Sequence, residues 1–139
     1  TAVAVSPAAL AVAARNARRL QAGNVSFLPG SWYEPAGTAR FDCIVSNPPY
    51  VADGDPALAR LAHEPPSALA AGPAGLDALA TICAGAPLHL TTGGALIVEH
   101  GATQGADVRA LMAGIGLAAI ATHDDLAGRP RATRGNFRR

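Results

Sequence analysis

At 139 residues, half of them hydrophobic and 15% charged, the chain is long enough to bury a core and too apolar to stay disordered, so one domain is expected. A net charge of +1, with all 11 basic residues arginine, gives no argument for a polyanionic partner. The longest apolar runs, such as "GALIV", are strand-sized and no basic-then-apolar leader opens the sequence, so the expectation is a cytoplasmic protein with no membrane partner.

"TAVAV" reads as a short strand. "SPAALAVAARNARRL" follows as a helix, with Ser6 as N-cap, Pro7 in the first helical position and Gly23 shortly after its end. "NVSFL" is a second strand, closed by Pro29 and Gly30. "FDCIV" is a third, and its nearly uniform apolar character is that of a central parallel strand covered on both faces. Residues 51–75, rich in Pro, Gly and Ala, read mostly as loop. A helix is predicted from about Leu76 to Leu90, after which "TTGG" turns the chain into the strand "ALIVEH". Another helix covers roughly Thr103 to Ala113. "LAAIATH" and "RATRGNF", separated by "DDLAGRP", read as an antiparallel pair at a sheet edge. Cys43 and Cys83 have no CxxC spacing and apolar neighbours, so reduced core thiols are expected. Repeated β-α-β units imply an α/β fold, a parallel sheet with helices on both faces.

Open sheets of this kind bind ligands beyond the carboxyl ends of their strands. "SNPPY" lies at the end of the most apolar strand, and "GSWY" and "EHG" lie at the ends of two others, so three polar or aromatic tips are expected on one rim. Asn47 is pushed toward an extended conformation by Pro48, and Pro49 stiffens the turn further. Neither proline has a backbone N–H to compete for acceptors. The Asn47 side-chain oxygen and the Pro48 carbonyl are therefore free to face a planar –NH2 group, with Tyr50 stacked on its plane. Such an arrangement suits a weak nitrogen nucleophile that attacks an electrophilic methyl group in line, where positioning supplies most of the rate.

The quartet Asn47-Pro48-Pro49-Tyr50 resembles the Asn/Asp-Pro-Pro-aromatic signature of S-adenosylmethionine-dependent methyltransferases acting on planar amino groups. More narrowly, nearly the whole chain resembles the release factor glutamine methyltransferases, which methylate the side-chain amide in the Gly-Gly-Gln loop of class 1 release factors. The stretches that carry this are "SPAALAVAARNA", "SWYEP", "RFDCIVSNPPYV", "HEPPSALAAGPAGLDAL", "GGALIVEHGATQGADVRALM" and "DLAGRPRAT". The resemblance implies a Rossmann-like class I methyltransferase sheet, S-adenosylmethionine as cofactor and a peptide chain release factor as partner in translation termination. It implies a catalytic site of Asn47, Pro48, Pro49 and Tyr50, and a cofactor side with Asn47, Trp32 beside the adenine and the position of Ala4. There the family usually carries an acid that holds the ribose hydroxyls; a further acid usual before the Trp is Ser31 here. The family's first strand, its glycine-rich loop and its N-terminal helical domain would all precede Thr1, so residues 1–139 read as an N-terminally incomplete methyltransferase domain.

Two other functions remain open at this level. One is a nucleic-acid amino-group methyltransferase acting on adenine or guanine, for which only the tail "RPRATRGNFRR" hints at a footprint; a solvated terminus is the preferred account of that tail. The other is a non-catalytic remnant of the family, motivated by Ala4 and the missing loop. By itself Trp32 reads as filling a hydrophobic gap. Glu99 and His100 read equally as rim-shaping or catalytic, and Glu64 as pinning its own loop. Arg129, Arg131 and Arg134 read as edge-strand charges. His63, His89 and His123 lack metal-ligand spacing, and no metal is expected. Without the family's first strand, "TAVAV" and "FDCIV" are expected to pair with each other or with another chain, or to leave residues 1–5 poorly ordered.

Overall fold

In the computed structural model, which describes residues 1–55 and 71–138, the chain forms two units, Thr1–Ala39 and Arg40–Arg139. In the first, β1 (Ala2–Ala4) leads into α1 (Pro7–Arg19), which returns to β2 (Phe27–Pro29), parallel to β1 with Val3 opposite Leu28. The helix begins where expected: Ser6 is extended and its hydroxyl accepts the Ala9 N–H at 3.2 Å, with Pro7 behind it. It ends at Arg19, with Gly23 shortly after as expected. Gln21 takes the left-handed conformation (φ 55°), so that its N–H reaches Arg18 O and the Ala22 N–H reaches Ala17 O, which satisfies two orphan carbonyls. The expected pairing of "TAVAV" with "FDCIV" is not found. The strand at residues 2–4 bonds to β2, three residues against three.

The second unit holds β3 (Phe41–Ser46), α2 (Asp77–His89), β4 (Leu90–Glu99), α3 (Gly105–Gly114), β5 (Leu117–Asp124) and β6 (Pro130–Phe137). The sheet order is β3-β4-β6-β5, with β3 and β4 parallel and the other pairings antiparallel. The predicted antiparallel pair at an edge is present as β5 and β6. Two expectations change, however. β3 is an edge strand rather than a central one, and its residues are half-buried or exposed, with Val45 72% exposed. β6 is interior, so Arg131 and Arg134 are not edge-strand charges, and Arg129 lies in the turn before it.

The core lies on the face that carries α2 and α3, which touch each other as well as the sheet. α2 buries Ala78, Leu79, Ile82, Cys83 and Ala86, and α3 buries Val108 and Met112 at helical spacing. Leu96 and Val98 meet them from β4, fully buried. Register aligns Leu96 with Gly135 and Val98 with Thr133. Gly135 has no side chain in mid-strand because a Cβ there would stand 3.1 Å from Leu117 and 3.2 Å from the Met112 sulfur.

"TTGG" is not the turn it was expected to be. β4 starts at Leu90 directly after α2, and Thr91 to Gly94 form an irregularity inside it, between the pairs Phe41–Leu90 and Cys43–Ala95. Thr91 Oγ1 donates to Asp42 Oδ1 at 2.8 Å, and Gly93 (φ 83°) supplies the left-handed step. Arg40 donates to the Leu90 and Pro87 carbonyls and so closes the end of α2. No helix among the described residues is long and apolar enough to cross a membrane.

The thiols divide as the sheet does. Cys83 is buried in α2 as expected, and burial pushes its thiol up to about 11; Cys43, expected in the core, is exposed on the edge strand. At pH 8 about one Cys83 in a thousand is thiolate, the reactive form. Brief treatment with iodoacetamide at that pH should modify one thiol per folded chain, and peptide mapping should find it at Cys43. Modification of Cys83 at a matching rate would contradict this packing.

Candidate active site

Because β3 and β4 are parallel neighbours with Ser46 opposite Val98, their carboxyl ends stop side by side. The turn Asn47–Tyr50 follows one and Glu99–Gly101 ends the other. The tips join through Tyr50, whose hydroxyl donates to Glu99 Oε1 at 3.0 Å. Two of the three predicted tips thus meet. The third, "GSWY", closes β2 in the first unit.

Along the turn, burial alternates with chemistry. Pro48 is buried and anchors the turn, Pro49 and Tyr50 are half-buried, and Asn47 is exposed. Among the described residues neither the Asn47 side chain nor the Pro48 carbonyl has a hydrogen-bond partner. Two acceptors therefore stand free at a strand tip beside a fixed aromatic ring. In number they match the two donors of a planar –NH2 group.

The ring is held electrostatically as well as by shape. Burial, then the hydrogen bond to Glu99, then the Glu99 charge raise the Tyr50 phenol above its ordinary 10, and Arg131 opposes them. Arg131 also donates to the His100 carbonyl at 3.2 Å and pairs with Asp125 at 3.5 Å. Asp125 caps the β5–β6 hairpin by accepting the Ala127 and Arg129 N–H groups. The Arg129 N–H is the largest influence holding its carboxyl below the usual range.

His100 proves structural. It is fully buried, with Nδ1 2.9 Å from Gly101 O and Nε2 2.8 Å from Thr133 Oγ1. Thr133 meets Thr122 at 2.8 Å, and Arg109 donates to Thr122 at 2.8 Å. For a neutral ring one proton pattern satisfies every group, since Arg109 can only donate and a carbonyl can only accept. Arg109 donates to Thr122, Thr122 to Thr133 and Thr133 to Nε2, while Nδ1–H donates to Gly101 O. The wire holds the "EHG" backbone from below. Sequence reasoning missed these partners, and it missed Gln104, which touches both tips; apart from Thr122, their one signal was membership in the stretches "GGALIVEHGATQGADVRALM" and "DLAGRPRAT".

In the first unit taken by itself, Trp32 is 38% exposed and has positive φ (47°), a strained backbone for a bulky residue. Gly30 before it packs on Pro35 so closely that a Cβ would clash. A side chain that only filled a gap would be covered, whereas Trp32 is exposed. Ala4 ends β1 and its carbonyl accepts the Gly30 N–H, which leaves no polar group of its side chain for a ribose. The residues thus fit an adenine at Trp32 and do not fit ribose recognition at Ala4. Glu64 and His63 lie outside the described residues. His89 is buried at the end of α2, and His123 is exposed on β5.

Residues 1–74 match the model of the family described as "Methyltransferase small domain". The chain belongs to that family. Over 94% of its length it is 54% identical to a release factor glutamine methyltransferase of Xylella fastidiosa, and over 99% it is 40% identical to one of Vibrio cholerae. The chain spans about half the length of these relatives, 48% and 49%. A crystal structure of a methyltransferase from Pyrococcus furiosus superposes with a TM-score of 0.72 at 16% identity, over 99% of this chain and 61% of that one. The fold is accordingly the Rossmann-like sheet of class I methyltransferases.

The Tyr50 ionisation gives a direct test of the site. With Tyr33 replaced by Phe, phenolate absorbance at 295 nm should appear above pH 10, and Glu99→Gln should bring it closer to 10 without erasing the part due to burial. Since the folded pKa is raised, the stability it contributes is complete below pH 10 and is lost as pH climbs through the folded value. A titration at the ordinary value that is indifferent to Glu99 would mean that the two tips do not join.

Proposed function

We propose that this chain is the methyl-accepting half of a release factor glutamine methyltransferase, which transfers a methyl group from S-adenosylmethionine to the side-chain amide of the glutamine in a Gly-Gly-Gln loop. The protein would act in the cytoplasm, on a peptide chain release factor, in translation termination. The observation that carries this is the pair of unpartnered acceptors, Asn47 Oδ1 and Pro48 O, next to a Tyr50 ring fixed by Glu99. The names of the relatives supply the substrate.

S-adenosylmethionine, when bound, supplies the electrophilic methyl group. What the chain's own residues do is orient the acceptor. Asn47 and Pro48 accept the two amide hydrogens, Tyr50 walls the amide plane, and the buried Pro48 keeps the turn from moving with its ligand. The amide nitrogen is thereby aimed along one line of attack, and most of the rate enhancement comes from that alignment. The nucleic-acid alternative is weaker, because the names of the relatives point to release factors, and Arg131 is engaged with Asp125 and the His100 carbonyl.

Activity is best measured in a chimera in which this chain replaces the matching stretch of the Xylella fastidiosa relative. Asn47→Ala removes one acceptor, and one hydrogen bond contributes about 0.5–1.5 kcal/mol before loss of orientation is added. Methylation of a Gly-Gly-Gln release factor should fall by at least about tenfold, with cofactor affinity less affected. Unchanged turnover would remove Asn47 from the mechanism.

Ala4 generates a second test, by calorimetry. A carboxylate at the tip of β1 accepts from both ribose hydroxyls, and charge-assisted bonds contribute roughly 1.5–3 kcal/mol each. In the chimera Ala4→Asp should tighten S-adenosylmethionine by about tenfold or more. No change would mean that another residue holds the ribose and that Ala4 is no mark of a remnant.

A further inference from the structure

We propose that Gln104 is a positioning residue for methyl transfer, the clamp that fixes the Asn47–Tyr50 turn against the end of β4; this rests on that turn being the acceptor site. Gln104 immediately precedes α3 and is half-buried. Its backbone is held on both sides, by its own N–H to Gly101 O at 3.0 Å and by the Val108 N–H to its carbonyl at 3.0 Å. Its side chain joins three segments distant in sequence. Oε1 accepts the Gly101 N–H at 2.8 Å, and Nε2 donates to Tyr50 O at 3.1 Å and to Gly75 O and Ala74 O at 3.2 Å each.

The partners are backbone groups of fixed polarity, so the amide has one orientation. Gly101 offers only a donor there and the three carbonyls only acceptors. A primary amide meets both sides at this reach, with one of its two protons shared between two carbonyls. Glutamate would set a carboxylate against three carbonyl oxygens, and methionine would fill the space with neither function. Two glycines make room for it. A Cβ on Gly75 (φ 68°) would clash with Tyr50 O and lie 2.8 Å from Nε2, and one on Gly101 would lie 3.0 Å from Oε1.

Tyr50 is consequently held at both ends, its carbonyl by Gln104 and its hydroxyl by Glu99. Glu99 and Gly101, the far anchors of these two bonds, are separated by one residue, the buried His100. Two-point attachment to one rigid strand end removes the rotation and sliding that the turn would otherwise have. Loosening it shifts the Pro48 carbonyl and the ring together, and small misplacements of that kind are costly in reactions that depend on alignment.

The test combines NMR of the 139-residue chain with kinetics of the chimera, using Gln104→Met and Gln104→Glu. In the unsubstituted chain the Gly101 N–H and the Gln104 side-chain NH2 should exchange slowly with solvent. In Gln104→Met the Gly101 N–H should exchange faster and the Tyr50 resonances should shift. In the chimera Gln104→Met should lower kcat for the release factor about tenfold, with KM for S-adenosylmethionine within about twofold, and Gln104→Glu should lower it further. A kcat unchanged in folded Gln104→Met protein overturns the proposal, as does a Gly101 N–H indifferent to the substitution. If the unsubstituted chimera binds cofactor yet fails to methylate the release factor, the functional proposal falls and the positioning role with it. Slow exchange of the same protons would then show that the clamp exists without that reaction.

Discussion

The parallel pairing of β3 with β4 is the constraint on which the candidate site depends. Parallel strands end on the same side of a sheet, and the register that sets Ser46 against Val98 also makes them end at the same level. Residues 47–50 and 99–101, about fifty positions apart, thereby become neighbours without either segment needing regular structure. The bulge at Thr91–Gly94 belongs to the same constraint. It absorbs the mismatch at the start of the pair so that the far ends stay aligned.

Beyond the strand ends, stability and function use the same groups. His100, Thr133 and Thr122 carry polar atoms in or beside the core, where each would be costly without a partner. Among the described residues no buried side-chain nitrogen or oxygen lacks one. Against that background the Asn47 amide and the Pro48 carbonyl are acceptors without a partner among the described residues. The rim is rigid where it supports a ligand and unsatisfied where it would receive one.

The two units differ in how well they suit the proposed chemistry. The second joins the tips of β3 and β4 through Tyr50, which is held by Glu99 and Gln104. The first presents an open, strained Trp32 and an alanine at the end of β1. An exposed tryptophan with positive φ is costly to maintain, and packing within the first unit, with Pro35 on Gly30, supports that local shape.

Local chemistry made much of this legible in the sequence. Ser6-Pro7 starts α1 by satisfying or removing orphan N–H groups, and that requires nothing from the rest of the chain. The apolar periodicity located α2, α3 and the strands among the described residues to within a few residues, except that β4 starts five residues before "ALIVEH", and the two prolines after Asn47 imposed a stiff turn whatever surrounds them. What tertiary structure decided is which strand lies beside which. "FDCIV" is apolar enough for a sheet centre, yet it forms an edge, because apolar composition records a tendency to be buried and not the number of neighbours available. Arg131 looked like an edge charge because a strand's place in the sheet order is a non-local property. The roles of Glu99, His100 and Gln104 were equally hidden, since each is defined by a hydrogen-bond partner dozens of residues away or by a backbone group whose position only the folded sheet sets.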